Sequence, residues 1–291
     1  LEVPAIKKLE KFEVYEIIRH ALLEDLGSYG DITSKYTVPS QSISRAFAVC
    51  KEKDGTVLCG VDIMQFVFNE IDKSIVFEKL KKDGDFLNNR DIICRASGPS
   101  ASLLSAERTA LNFLQHMSGI ASLTSKFAAI ASKYNVKITD TRKTKPGLRK
   151  LEKYAVICGG GFNHRYGLFD GVLIKDNHII ASGGIAGALK SAKSMAPHHL
   201  KIEVEVKTFA ELDEAIDNKA DIIMLDNMSI KQMSEAVEII RGKTRGACLI
   251  EASGGVTLES IEEICKCGVD IVSAGCITHS APAADFSLEF E

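Results

Sequence analysis

Apolar positions follow one rhythm in the first third of the chain and a different one in the rest. Val14, Ile17, Ile18, Ala21 and Leu22 recur at helical spacing and predict an amphipathic first helix. It gives way near Gly27 to an irregular loop, Gly27-Ser28-Tyr29-Gly30-Asp31. Short β-type runs follow at 43–50, 56–59, 75–80 and 92–97, parted by Lys-Asp-Gly and Asp-Gly turn signals, with a helix expected over 62–71. Leu103, Leu104, Ala110, Leu111, Leu114 and Met117 then mark a long helix over 101–117, which Gly119 is expected to break before a second helix through Ile130.

Beyond Val136, short apolar strands alternate with helical stretches, the pattern of a parallel α/β unit. Strands are predicted at 136–139, 171–175, 202–206, 221–225, 247–250 and 269–273. Off their carboxyl ends the chain reads Asp140-Thr141-Arg142-Lys143, Lys175-Asp176-Asn177, Glu205-Val206-Lys207, Asp226-Asn227, Glu251-Ala252-Ser253 and Ala274-Gly275. Apolar strands that repeatedly end in polar or small residues are what a β/α barrel does at its catalytic face. A doubly wound open sheet is the rival, since it too binds ligands at strand carboxyl ends. The barrel is favoured because six successive strands carry such tips and no GxGxxG follows the first. The expected organisation is an amino-terminal α/β domain over 1–117 and a barrel domain over 118–276.

Composition narrows the class without changing this picture. Hydrophobic residues make up 45% and charged residues 26%, an ordinary globular balance. A net charge of −3 provides no general positive field for nucleic acid or anionic lipid, so any anion site must be local. No apolar run approaches the roughly 18 residues of a spanning helix, and the first residues lack the order of a signal peptide. A cytoplasmic protein is expected. The eight cysteines lie mostly in apolar contexts and are expected as buried free thiols; Cys265-Lys266-Cys267 lacks the spacing of a zinc knuckle.

One stretch departs from the overall balance. Between residues 142 and 165 stand Arg142, Lys143, Lys145, Arg149, Lys150, Lys153 and Arg165 against the single acid Glu152. Planar Arg forks hold carboxylates bidentately, so Arg142 and Arg165 beside a barrel mouth suit a small polyanion. Lys145, Arg149, Lys150 and Lys153 read as a solvated helix face. Lys175 ends an apolar strand and would serve as an anion ligand or, desolvated, as a Schiff-base nucleophile. Glu205 and Asp226 tip neighbouring strands, a pair suited to ribose hydroxyls, to Mg²⁺ through water, or to a developing cation. Ser253-Gly254-Gly255 and Ala274-Gly275-Cys276 follow the last two strands, where barrels commonly bind phosphate. His20, His116, His198 and His199 lack such a context and read as surface or packing residues.

Taken in order, these stretches resemble the nicotinate-nucleotide pyrophosphorylase (carboxylating) family, also called quinolinate phosphoribosyltransferase. The resemblance runs through Glu24-Asp25-Leu26-Gly27, Gly30-Asp31-Ile32-Thr33, Glu107-Arg108-Thr109-Ala110-Leu111-Asn112 and Ser118-Gly119-Ile120-Ala121. It continues through Asp140-Thr141-Arg142-Lys143-Thr144, Gly159-Gly160-Gly161, Asn163-His164-Arg165, the segment from Asp170-Gly171 to His178, Glu203-Val204-Glu205-Val206, Leu225-Asp226-Asn227, Ser253-Gly254-Gly255 and Gly268-Val269-Asp270. It implies an amino-terminal α/β sandwich, with an open antiparallel sheet and helices, joined to an incomplete parallel β/α barrel of fewer than eight strands. A final segment over 277–291 would return to the first domain.

The activity implied is transfer of phosphoribosyl from phosphoribosyl pyrophosphate to quinolinate with Mg²⁺, giving nicotinate mononucleotide, pyrophosphate and carbon dioxide. By this resemblance Thr141, Arg142, His164, Arg165 and Lys175 would hold quinolinate, and Arg108 would arrive from a neighbouring subunit of a homodimer with shared sites. Lys143, Glu205 and Asp226 would meet the phosphoribosyl donor and its metal, with Ser253, Gly254, Gly255, Ala274, Gly275, Cys276 and His279 around the 5-phosphate. Lys143, Lys175, Glu205 and Asp226 would be the catalytic set. Phe162 departs from the pattern, since many members carry His there. Two alternatives stand beside this reading: a Schiff-base aldolase or isomerase using Lys175, and a related molybdenum-transport family whose loops would diverge at Asn163-His164-Arg165. A ligand sensor without catalysis on the same scaffold would not need every polar strand tip.

Overall fold

The computed structural model describes residues 4–291. In chain order the first elements are α1 (Lys11–Leu26), α2 (Ile32–Thr37), β1 (Ile43–Cys50), β2 (Thr56–Val57), α3 (Val61–Ile71), β3 (Val76–Lys79), β4 (Phe86–Leu87), β5 (Ile92–Pro99) and α4 (Ser100–Ala131). Then come β6 (Lys137–Thr139), α5 (Arg149–Cys158), β7 (Val172–Ile174), α6 (Asp176–Ala181), α7 (Ile185–Met195), β8 (Ile202–Val206), α8 (Phe209–Asp217), β9 (Ile222–Asp226), α9 (Ile230–Thr244), β10 (Leu249–Ser253), α10 (Ile261–Lys266), β11 (Ile271–Ser273), α11 (Cys276–His279) and β12 (Phe286–Phe290). Two compact units result: one holds Pro4–Ser125, Thr144–Gly160 and Ser280–Glu291, the other Lys126–Lys143 and Gly161–His279.

The first unit carries an antiparallel sheet in the order β12-β1-β5-β3, with β2 and β4 paired separately. The returning carboxyl-terminal segment pairs with β1, Phe290 opposite Ala46 and Phe286 opposite Cys50. Against these strands lie helices whose apolar faces are fully buried: Ile63, Met64, Val67 and Phe68 on α3, and Leu103, Ala110, Leu111, Leu114 and Met117 on α4. Leu104, expected on the same stripe, is exposed. The expected break at Gly119 does not occur, because α4 runs through it without interruption. A Cβ at Gly119 would strike the Pro282 carbonyl oxygen, so glycine is present there for close approach of the returning segment and not to end the helix. The compact units accordingly divide at Ser125, and 144–160, expected in the barrel domain, belongs to the first unit.

The expectation of a solvated basic face over 145–153 also gives way there. Lys153 is 3% exposed and Glu152 0%. Glu152 accepts from His116 Nε2 at 2.9 Å and from the Lys145 backbone N–H at 3.2 Å. His116 is therefore a partner of a buried carboxylate, not a surface residue.

The second unit is a six-stranded parallel sheet in the order β6-β11-β10-β9-β8-β7, fewer strands than a complete eight-stranded barrel. Its strands fall where the apolar runs predict them, and β8 shows why the site lies where it does. In Ile202-Glu203-Val204-Glu205-Val206 the period of two sends three aliphatic side chains to one face and two glutamates to the other, all buried. Each buried aliphatic contributes about 1.5–3 kcal/mol, which offsets the cost of setting two carboxylates side by side on the opposite face. β10 runs further than expected, through Ser253, which its register with β9 and β11 requires: Ser253 pairs with both Asp226 and Ser273. Glu251 is thus an interior strand residue, 2% exposed, and not part of the tip. All eight cysteines are free, six of them buried. No helix among the described residues is long and apolar enough to cross a membrane.

Candidate active site

The carboxyl ends of the parallel strands bring together the residues that the tips predict. Lys175, directly after β7, places Nζ 2.9 Å from Glu205 Oε2 on β8. Lys207, one residue beyond β8, lies 3.9 Å from both Glu205 Oε1 and Asp226 Oδ2 and donates to Asp176 Oδ2 at 3.0 Å. Asp176 is therefore the partner of Lys207, not of the adjacent Lys175. The Lys207 ammonium is pushed up, chiefly by its hydrogen bond to Asp176, and the same bond holds the Asp176 carboxyl down. Lys207 is a site residue that sequence reading passed over, although it stands at a strand tip beside Glu205. Asp226 is steadied by Asn227, whose Nδ2 donates to Oδ1 at 3.0 Å.

On the neighbouring strands, the loop after β6 carries Thr141, Arg142 and Lys143, and Thr141 Oγ1 accepts the Lys143 N–H at 3.0 Å. The Lys143 carbonyl accepts from Thr278 Oγ1 at 2.8 Å, tying this loop to α11. Lys143 Cδ and His279 Nε2 flank Gly275, 3.1 and 3.2 Å from where a side chain there would begin. Lys143, Gly275 and His279 thus share one corner of the strand ends. Ser253-Gly254-Gly255 stands beside Asp226-Asn227, with the Asn227 N–H bonded to the Ser253 carbonyl at 2.9 Å.

The glycine-rich loop reaches the sheet by a different device. Phe162 forms a bridge beside β6, its N–H donating to Ile138 O at 2.7 Å and its carbonyl accepting from Asp140 N at 3.2 Å. Its ring lies under Lys137 Nζ, 5.3 Å from the centroid, an aliphatic and cation–π setting where an aromatic is at home. This bridge sets Asn163-His164-Arg165 over the sheet. The His164 N–H donates to the buried Asp140 Oδ1 at 2.9 Å, and Arg165 donates from Nη1 to Gly171 O at 2.9 Å. Burial lowers the Arg165 guanidinium below its ordinary value and the nearby Arg142 charge lowers it further, while Glu203 and Asp170 oppose the shift.

Beside Arg165 is a cluster that the strand tips do not announce. His164 Nε2 lies 3.2 Å from Glu203 Oε2 and 3.5 Å from Glu251 Oε1, while Nδ1 accepts the Arg165 backbone N–H at 2.8 Å. Desolvation disfavours a charged ring and the two carboxylates favour one; the Arg165 N–H on Nδ1 leaves room for a proton at Nε2 only. Burial pushes the Glu203 carboxyl up. A metal ion is a poor occupant: a ring nitrogen that binds metal leaves its proton on the other nitrogen, and Nδ1 already faces an N–H. Arg108 lies in the other compact unit, exposed on α4, and forms no ion pair among the described residues.

Residues 31–118 match the family model described as quinolinate phosphoribosyl transferase, N-terminal domain, and residues 120–289 the model described as quinolinate phosphoribosyl transferase, C-terminal domain. The chain is 41% identical over 281 residues to the probable nicotinate-nucleotide pyrophosphorylase [carboxylating] of Bacillus subtilis (strain 168), covering 97% of this chain and 94% of that protein. It is 40% identical over 298 residues to the chloroplastic nicotinate-nucleotide pyrophosphorylase [carboxylating] of Arabidopsis thaliana, covering 96% of this chain and 83% of that one. The solved structure of the nicotinate-nucleotide pyrophosphorylase from Francisella tularensis superposes with a TM-score of 0.91 at 42% identity, over 100% of both chains.

Proposed function

The chain belongs to the quinolinate phosphoribosyltransferase family, and we propose that it condenses quinolinate with phosphoribosyl pyrophosphate, releasing pyrophosphate and carbon dioxide and leaving nicotinate mononucleotide. The observation that supports this reading is the meeting, at the carboxyl ends of β7, β8 and β9, of two lysines, Lys175 and Lys207, with two acidic tips, Glu205 and Asp226. Quinolinate is a dianion at neutral pH. Arg142, Arg165 and Lys175 bind its carboxylates, with Thr141 and His164 at the edge, and so aim the ring nitrogen at C1 of the ribose. As pyrophosphate leaves, C1 gains positive charge, which Glu205 and Asp226 stabilise while Lys143 neutralises the departing oxygens. The 5-phosphate lies among Ser253, Gly254, Gly255, Ala274, Gly275, Cys276 and His279. After transfer the ring nitrogen is cationic and accepts the electron pair freed as the adjacent carboxylate leaves as carbon dioxide.

Hard carboxylate oxygens at Glu205 and Asp226 fit Mg²⁺, and their pairing with lysines suits contact through water. When bound, the ion would supply charge neutralisation to the pyrophosphate. A homodimer in which Arg108 completes the partner's site accounts for an exposed arginine outside the strand-end group. Free cysteines throughout accord with a place in the cytoplasm. The Schiff-base alternative loses ground, since Lys175 is 45% exposed in its side chain and ion-paired to Glu205, not the desolvated amine that such chemistry needs.

The test is to mix the protein with quinolinate, phosphoribosyl pyrophosphate and Mg²⁺ and to follow pyrophosphate and carbon dioxide together. Equal yields of both are expected. Absence of both, with borohydride trapping a carbonyl adduct on Lys175, would replace this reading by the aldolase one.

A further inference from the structure

His164 is held from three sides. Its backbone N–H is fixed by Asp140, its Nδ1 by the Arg165 N–H, and its Nε2 by two carboxylates from strands that are not neighbours. Glu203 is on β8 and Glu251 on β10, with β9 between them. Strands two apart in a flat sheet are separated by about 9.5 Å, so a single nitrogen within 3.5 Å of both carboxylates lies in the concavity of a curled sheet. Glu203 and Glu251 are 5% and 2% exposed. The Oε1 atom of Glu203 has no hydrogen-bond partner among the described residues, and that of Glu251 has only the His164 contact at 3.5 Å. Below the ring is a cavity of about 260 Å³, lined by His164, Arg165, Glu203 and Glu251 together with Lys201 and Ile222.

Two buried carboxylates that make so few hydrogen bonds are a costly arrangement, and a core of this size has no need of them. Arg165 lines the same cavity. Glu203 opposes the mutual repulsion of Arg142 and Arg165, and the Nδ1 acceptor fixes the backbone of Arg165 itself. The proton stays on Nε2, where both carboxylates draw it, because Nδ1 already faces a donor.

We propose that Glu203 and Glu251 are positioning residues for the pyridine dicarboxylate: both hold Nε2–H of His164, and Glu203 also supplies negative charge beside Arg165 that lets it stand near Arg142 before the substrate arrives. The inference rests on the proposed function and extends it to residues that do not touch the reacting atoms. Glutamine at either position keeps a hydrogen-bond acceptor for Nε2–H and removes the charge, so it separates the electrostatic role from simple filling of space.

Glu203→Gln and Glu251→Gln are expected to raise the quinolinate KM roughly tenfold or more, with kcat and the donor KM within about threefold, the pattern of lost ground-state binding. Nitrogen-15 spectra of histidine-labelled protein, assigned with His164→Ala, should show one ring with its proton on Nε2 in the wild type and the same tautomer, with shifted ring-nitrogen resonances, in the Gln variants, which keep both the Nε2 acceptor and the Arg165 N–H on Nδ1. Equal changes in both substrates' KM, or an unchanged quinolinate KM, overturn the proposal. Should the variants fail to fold, the wild-type spectrum alone decides, because a His164 ring protonated on Nδ1 or exchanging between tautomers also overturns it. A wild-type protein that makes no nicotinate mononucleotide would instead overturn the functional reading, and the two failures are therefore distinct.

Discussion

Replacing Gly254 by alanine tests the phosphate end of the site at a position where the backbone leaves little choice. Gly254 has φ +97°, a conformation that side chains other than glycine's rarely adopt, and a Cβ there would lie 2.5 Å from Asn227 Cγ and 2.9 Å from Asn227 N. The Asn227 amide side chain can swing aside, but its backbone nitrogen cannot, being bonded to Ser253 O at 2.9 Å. A non-glycine residue held in such a region costs about 1–3 kcal/mol, and loss of the Asn227-to-Asp226 hydrogen bond costs about 0.5–1.5 kcal/mol more. A total of about 1.5–4.5 kcal/mol leaves a protein of ordinary stability folded. Urea unfolding should show that loss. Calorimetry on the folded variant should show donor affinity reduced at least tenfold, because Asp226 and the Ser253-Gly254-Gly255 amides move together, with quinolinate affinity within about threefold. Normal donor affinity in a variant destabilised by the expected amount would refute the assignment of this loop to the 5-phosphate.

Arg142→Ala or Arg165→Ala should each remove a charge-assisted pair worth about 1.5–3 kcal/mol, raising the quinolinate KM roughly ten- to 150-fold and the donor KM far less; equal weakening of both in steady-state kinetics would count against the cationic group as the carboxylate site. Nicotinate, one carboxylate short, should be turned over poorly for the same reason, which a direct rate comparison with quinolinate checks. Asp31 caps α2 by accepting the Ser34 N–H at 3.0 Å, so Asp31→Ala should cost about 1 kcal/mol in neutral urea melts. Hydrogen bonds from Ser34 hold its carboxyl below the ordinary aspartate value of 3.8. This contribution is therefore present above 3.8 and lost as pH falls through the lower folded value, and the gap between wild type and variant should close there. Mixing an inactive Arg108→Ala chain with an inactive Lys175→Ala chain should restore up to about half of wild-type activity once subunits exchange, if each site draws Arg108 from its partner; exchange without recovery would place Arg108 in its own chain's site or in none.

What could be read from the sequence was what local pattern determines. Aliphatic runs ending in Lys175, Glu205 or Asp226 announce a parallel sheet with a polar rim, because strand period and strand end are both local properties, and the structure has these residues within ion-pair reach of one another or of Lys207. Helix continuity through Gly119 was not legible, since its cause is a carbonyl of Pro282, far along the chain. The burial of Glu152 and Lys153 was hidden for the same reason: six successive residues of α5, Leu151 to Val156, are buried although polar and apolar types alternate among them in no helical order.

Glu251 shows the limit most clearly. Counted by its own strand, it belongs to a charged tip; counted by its neighbours, it belongs two residues inside. Parallel pairing aligns Ser253 with Asp226 and Ser273, and that alignment exists only when three separate strands have met. The His164 cluster needs one step more, the curl that brings β8 and β10 to the same imidazole. Each residue of the cluster could be named from its motif, but its partners depend on sheet register and curvature, which no run of five residues encodes. Positions where a costly charge is buried without a local reason are therefore where structure adds most to sequence, and in this chain they line one cavity with Arg165, a residue that the proposed reaction would use.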